Sequence, residues 1–182
     1  VFILFQFIRN QVLYEFSYFF YIVLLLLIGI TLYMPAIKYS TRWILIGSYQ
    51  FQPSEFGKVI IILTLARFIA DYKETLSDHQ LIVSSIVISI CPLLLIFKQP
   101  DYGTGLMYLL PIFPMLYWSG VKIKNLLLYL FPIISMITAI HLTAYTVWMI
   151  LLIIILLISR FRVVVIISNF MINIAFGLLN AY

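Results

Sequence analysis

Apolar residues run along this chain in long blocks separated by short polar strings. The blocks are continuous rather than alternating, and they recur at roughly 17 to 20 residues, the length at which an α-helix crosses a bilayer. They predict helical spans at Phe16–Met34, Pro53–Ala70, Leu81–Phe97, Tyr102–Trp118, Leu126–Ile140, Ala144–Ile158 and Val163–Tyr182. The strands of a membrane barrel would be shorter and would alternate in polarity. Val1–Ile8 is a further apolar block, ending at Arg9. It lacks the basic start and small-residue cleavage site of a signal peptide and reads as the tail of a span. The chain stops at Tyr182 in or just after an apolar run. The expectation is therefore an all-α, polytopic helical membrane protein with about seven spans plus a partial one. On this expectation residues 1–182 are read as a single transmembrane domain fragment, open at both ends, with no soluble domain.

Between Leu126 and Ile158 the pattern admits two readings. One helix over these 33 residues would be about 50 Å long, too long for a hydrocarbon core about 30 Å thick. A hairpin near His141-Leu-Thr-Ala144 gives two short spans instead. A tilted or kinked helix, with Pro132 as the kink, is the alternative.

Composition agrees with a membrane protein. Hydrophobic residues make up 65% of the chain, charged residues 9%, and the mean hydropathy is +1.17, which excludes an ordinary soluble domain. The net charge of +5 does not point to nucleic acid, because the basic residues lie at span ends rather than in one patch. Cys91 is the one cysteine and sits in an apolar run, so no intrachain disulfide forms. A small core residue is the expected role. Glu15 is placed at the start of its helix, where a carboxylate suits the positive dipole end.

Orientation follows from the basic residues. Arg9, Arg67, Lys73, Lys122, Lys124, Arg160 and Arg162 fall on one side of the seven-span arrangement, and Lys38, Arg42, Lys58 and Lys98 on the other. The richer side is cytoplasmic by the positive-inside rule. The polar strings Phe51-Gln-Pro-Ser-Glu-Phe-Gly-Lys58 and Lys98-Gln-Pro-Asp-Tyr-Gly-Thr-Gly105 then both face outward, with the Arg42-Trp43 loop.

Each string has a structural reading. Pro53 suits the first turn of a helix, where its missing N–H costs nothing. Glu55 follows beside the dipole's positive end, and Lys58 lies at i+3 on the same face, so the two form a capped helix with an internal ion pair. Asp101 is a good N-cap for a helix starting at Tyr102, Pro100 stiffens the turn, and Gly103 and Gly105 allow close helix approach. Combined, the strings also have a functional reading. Two carboxylates, a lysine and an arginine at one membrane face form a polar cavity suited to a ligand with an anionic pyrophosphate and a lipid tail. Arg42 and Lys58 are candidate phosphate binders, and Asp101 or Glu55 are candidates to orient hydroxyls or to hold a divalent cation. Ionisable groups at such depth default to function, and Glu55, Lys58 and Asp101 are expected to converge within roughly 10 Å, about a Debye length.

The ordered series Arg42-Trp43-Ile44-x-x-Gly47, Phe51-Gln-Pro-Ser-Glu-Phe-Gly-Lys58 and Lys98-Gln-Pro-Asp-Tyr-Gly-Thr-Gly105 resembles the SEDS family (shape, elongation, division and sporulation). Gln99 ahead of Pro100-Asp101 is more similar to the RodA branch than to the FtsW branch. The match covers about a third of the chain directly, and three linked motifs are far more specific than one. The resemblance implies a peptidoglycan glycosyltransferase that polymerises lipid II at the outer face of the bacterial cytoplasmic membrane during cell-wall elongation and shape maintenance. It also implies a class B penicillin-binding protein as partner. Arg42, Trp43, Gln52, Glu55, Lys58, Gln99, Asp101 and Thr104 are the residues it places in the substrate cavity. The family's main catalytic aspartate lies in a Pro-Glu-x-His-Thr-Asp-Phe motif that does not occur in these 182 residues, so the resemblance implies a piece that is inactive alone. Between Lys124 and Tyr182 there is also one more hairpin than the family's ten-span pattern suggests. A lipid-precursor flippase or transporter, and a non-catalytic scaffold that activates a partner enzyme, are the competing readings.

Overall fold

The computed structural model describes residues 10–34, 41–46, 49–159, 161 and 163–179. They form eight helices and a small hairpin: α1 (Asn10–Thr31), β1 (Ile44–Ile46), β2 (Tyr49–Phe51), α2 (Pro53–Tyr72), α3 (Asp78–Phe97), α4 (Tyr102–Met107), α5 (Ile112–Trp118), α6 (Ile123–Thr138), α7 (Leu142–Ile158) and α8 (Val163–Leu179). The chain is a multi-span helical membrane protein. Among the described residues, Gln11–Thr31 and Asp78–Phe97 are long and apolar enough to cross a bilayer, while the apolar helices Ile123–Thr138 and Leu142–Ile158 are shorter. The chain divides into two compact units, Val1–Gly120 and Val121–Tyr182.

In the first unit, α1 and α2 run antiparallel. Arg67, near the end of α2, donates to the Tyr14 and Glu15 carbonyls near the start of α1, at 2.8 and 2.7 Å. α3 runs alongside α1 in the same direction. The Tyr21 hydroxyl donates to the Ile88 carbonyl at 2.7 Å, and Gln99 past the end of α3 reaches Ile28 near the end of α1. Helix α3 starts on a capping box in which Ser77 and Gln80 satisfy each other's backbone N–H groups. Leu24, Ile28, Ile61, Leu65, Ile82 and Ile96 close the core between these helices.

Four features differ from the sequence reading. The span expected over Tyr102–Trp118 is interrupted at Tyr108–Pro111, leaving two short helices. Pro111 supplies no N–H to continue the ladder and biases Leu110 away from helical backbone. The loop before Gln52 holds a two-stranded antiparallel hairpin, with Ile44 opposite Phe51 and Ile46 opposite Tyr49. Its second strand is pinned to α2 by stacking of Phe51 on Phe56, ring centroids 5.1 Å apart. Cys91 is exposed rather than packed inside. It lies off the buried stripe of α3, and a lipid-facing helix surface accepts apolar residues that a soluble protein would bury. Glu15 lies beyond the first turn of its helix, since α1 starts at Asn10.

In the second unit the hairpin reading of Leu126–Ile158 holds. Helix α6 ends at Thr138, passes Pro132 without stopping, and α7 begins at Leu142. Phe131 meets Trp148 edge-on at 5.9 Å, and Leu128, Phe131, Leu152 and Leu156 form the core, so the two helices are antiparallel. A buried polar chain ties in α8. Trp148 Nε1 donates to Ser135 Oγ at 2.7 Å, Ser135 Oγ donates to Asn173 Oδ1 at 2.5 Å, and Asn173 Nδ2 donates to Asn169 Oδ1 at 2.9 Å. Asn169 Nδ2 then donates to the Leu128 carbonyl at 2.9 Å. Such interhelical hydrogen bonds hold membrane helices together where burial offers no drive.

Candidate functional site

Asp101 is the hub. It caps α4, its Oδ1 accepting the Thr104 N–H at 3.3 Å. This leaves Oδ2 free to turn toward the N-terminus of α2 and the loop before β1. Arg42 Nη1 lies 3.2 Å from Oδ2, and Gln52 Nε2 donates to the same oxygen at 3.2 Å. The residue is 8% exposed. Burial pushes the Asp101 carboxyl up, but the Thr104 hydrogen bonds and the Arg42 guanidinium together outweigh it and hold the group below its ordinary value. Asp101 is thus an anion at neutral pH.

The other members arrive by simple local rules. Gln52 precedes Pro53, which opens α2, and Gln52 forms no side-chain cap on that helix. Its amide instead bridges Ser54 Oγ at 3.1 Å and Asp101. Arg42 also lies over the Trp43 ring, 5.8 Å from its centroid. Among the described residues, its Nε is buried and has no acceptor. Glu55 sits in the first turn of α2. Lys58 Nζ reaches both of its carboxylate oxygens, at 2.9 and 2.8 Å, with both side chains well exposed.

The structure therefore brings Arg42, Gln52, Asp101 and Thr104 into one contact group, with Trp43 against Arg42. Glu55 and Lys58 pair with each other nearby, joined to that group through Gln52 and Ser54. Asp101 takes Arg42 as its cation, and among the described residues the ion pair of Lys58 is with Glu55. Gln99 points elsewhere: it is buried, and its Nε2 donates to the Ile28 carbonyl at 3.2 Å and to Thr31 Oγ1 at 2.5 Å. It packs α3 onto α1 beside the site. Among the described residues, no three His, Cys, Asp or Glu side chains gather in one place.

Sequence reasoning missed Tyr108. This residue is fully buried, and its hydroxyl donates to the Ser54 carbonyl at 2.8 Å. The available signal was Gly57, a glycine inside a helix where alanine would be the better former. A β-carbon there would collide with the Tyr108 hydroxyl and stand 2.7 Å from Leu24 Cδ1.

Chemically, the cluster offers two cations at one end of a helical unit, each held by a carboxylate, and one buried acceptor with its charge retained. An anionic group with several oxygens can compete for both cations, and Arg in particular offers a planar fork to phosphate.

Known proteins place these motifs. The family sequence model for FtsW, RodA and SpoVE, described as "Cell cycle protein", matches residues 1–163. The peptidoglycan glycosyltransferase RodA of Treponema pallidum is 37% identical over 90 residues, covering 50% of this chain and 20% of that protein. A probable peptidoglycan glycosyltransferase FtsW of Dichelobacter nodosus is 33% identical over 91 residues, 49% of this chain and 23% of that protein. The chain thus spans less than a third of the length of these relatives. Among solved structures, Thermus thermophilus rod shape determining protein RodA aligns with a TM-score of 0.58 and 28% identity, over 71% of this chain and 43% of that one. With three motif strings meeting at Asp101 and a family match over most of its length, the chain belongs to the FtsW/RodA/SpoVE family of cell cycle proteins, the SEDS family, on its RodA-like side.

Proposed function

We propose that the whole protein is a peptidoglycan glycosyltransferase. It polymerises lipid II at the outer face of the cytoplasmic membrane, in cell-wall elongation and shape maintenance, and it works beside a class B penicillin-binding protein. The observation that carries this reading is the meeting of Arg42, Gln52 and Asp101, from three separate polar strings, next to the Glu55–Lys58 pair. The names of the relatives, peptidoglycan glycosyltransferase in Treponema pallidum and Escherichia coli, support the reaction class. Lipid II carries a pyrophosphate between a sugar and a polyprenyl chain. On this reading Arg42 and Lys58 exchange their carboxylate partners for pyrophosphate oxygens when substrate arrives. Asp101 and Glu55 are then released toward sugar hydroxyls. Trp43 and the exposed helix faces accommodate the apolar part at the membrane boundary.

The test is Asp101→Asn in the whole protein. Asn caps a helix about as well as Asp, so the fold of α4 is kept while the charge is lost. Polymerisation of lipid II should fall at least tenfold, about 1.4 kcal/mol of transition-state stabilisation, with membrane insertion unchanged. Lys58→Met keeps the apolar stem and removes the ammonium. Wild-type polymerisation by both variants at wild-type protein levels would remove the proposed site and favour a scaffold.

A further inference from the structure

Tyr108 belongs covalently to the chain segment that begins at Asp101 and by hydrogen bond to the one that begins at Gln52. It sits in the turn between α4 and α5, where Tyr108 N–H donates to the Gly105 carbonyl at 3.1 Å. Its side chain has no exposed surface, and its hydroxyl closes on the Ser54 carbonyl in the first turn of α2. Ser54 is next to Glu55 in sequence, and its own hydroxyl accepts from Gln52, the residue that also donates to Asp101. A loop of contacts therefore runs from Asp101 through Gln52 and Ser54 to Tyr108 and back along α4. Gly57 is the space this loop needs. A side chain there would drive the Tyr108 hydroxyl off Ser54 and press on Leu24.

We propose that Tyr108 is a positioning residue that fixes the spacing between the Asp101 cap and the first turn of α2, and so between the Arg42–Asp101 and Lys58–Glu55 pairs. It acts from beneath the pairs, as a rigid strut whose ring is locked in the core and whose hydroxyl has one acceptor. This inference rests on the reading that the two pairs form the substrate site. The strut itself is a geometric claim that stands apart from the reaction.

The experiment uses the whole protein with Cys91 and any cysteine outside these 182 residues changed to Ser, and spin labels on cysteines at the exposed positions Val59 and Leu106. Pulsed electron–electron distances report the α2–α4 spacing, and lipid II polymerisation is measured on the same preparations without labels. Tyr108→Phe removes one oxygen and keeps the ring. It should broaden the distance distribution and lower kcat about tenfold, with KM within about twofold. Gly57→Ala keeps the tyrosine and displaces its hydroxyl; it should broaden the distribution at least as much. A distribution unchanged in both variants overturns the proposal, and so does a broadened one with wild-type kcat. If the wild-type protein polymerises nothing and the distribution still broadens, the strut stands and the substrate reading falls.

Discussion

Among the described residues, the first unit contains two arginine–aspartate pairs, one at each end of α2, and they are built differently. Arg67 and Asp71 are i,i+4 neighbours on one helix, with Nε 3.5 Å from Oδ2. The Arg67 guanidinium donates to two α1 carbonyls and lies over the Tyr14 and Tyr18 rings, 5.0 and 4.3 Å from their centroids. Tyr14 in turn donates to Asp71. These contacts run to α1 or along α2, so the pair is a clamp between the two helices even though Asp71 itself is exposed. Arg42 and Asp101 lie far apart in sequence, and their side chains are 37% and 9% exposed. Here the acceptor is buried and the cation faces out. An arginine that spends one nitrogen on two backbone carbonyls and lies over two rings, as Arg67 does, has less left for a ligand. One held by a single carboxylate oxygen has most of its donors left. The same residue pair thus serves folding at one end and is available for chemistry at the other.

The largest expected effect breaks the symmetry through activity. Arg42→Gln in the whole protein should lower lipid II polymerisation at least tenfold, whereas Asp71→Asn should leave it within about twofold. Comparable losses in the two variants would mean that the Arg42 end has no special role.

Stability should show the reverse order. Arg67→Ala removes two charge-assisted hydrogen bonds and two ring contacts and should destabilise the protein by about 2 kcal/mol, read from detergent or denaturant melts. Arg42→Ala leaves the buried Asp101 carboxylate with its Gln52 and Thr104 donors and should cost about 1 kcal/mol. A larger loss at Arg42 would make it the structural clamp. In the second unit, Asn173→Leu severs a neutral buried chain from Ser135 to Asn169 and should cost about 1 kcal/mol, without changing either result in the first unit.

The sequence is readable where contacts are local. The Glu55–Lys58 pair follows from i,i+3 spacing on a proline-started helix, and Asp101 as N-cap follows from its place before Tyr102. The helical, membrane-spanning class follows from the length of the apolar blocks, and the break near His141 from the thickness of a bilayer. Partners across the fold were not readable. Charge alone leaves Arg42 and Lys58 equivalent as companions for Asp101, and the choice of Arg42 depends on a hairpin too short to carry a period-2 signal. Gln99 and Gln52 look alike, each preceding a proline, yet one is buried against α1 and the other bridges to Asp101. Tyr108 looks like one more aromatic in an apolar block, because a turn inside a span leaves its mark only as Pro111.

The smallest expected effect is a pH dependence at the Arg42 end. The folded state lowers the Asp101 carboxyl below its ordinary value, because the Thr104 hydrogen bonds and Arg42 together overcome the opposing effect of burial. The unfolded chain therefore takes up a proton at this position at a higher pH than the folded one does. Stability contributed by the charged carboxylate is complete above the unfolded value of about 3.9 and declines as pH falls through that value toward the lower folded one. Between pH 7 and 5 the contribution should be flat. Melts of the wild type and Asp101→Asn, compared from pH 5 down to 3, isolate it: the difference between them should shrink as acid neutralises Asp101 in the wild type. A difference that stays constant down to pH 3 would show that Asp101 stabilises through its capping geometry alone. The charge at the Arg42 end would then contribute nothing to the fold, which sharpens the contrast with the clamp at Arg67.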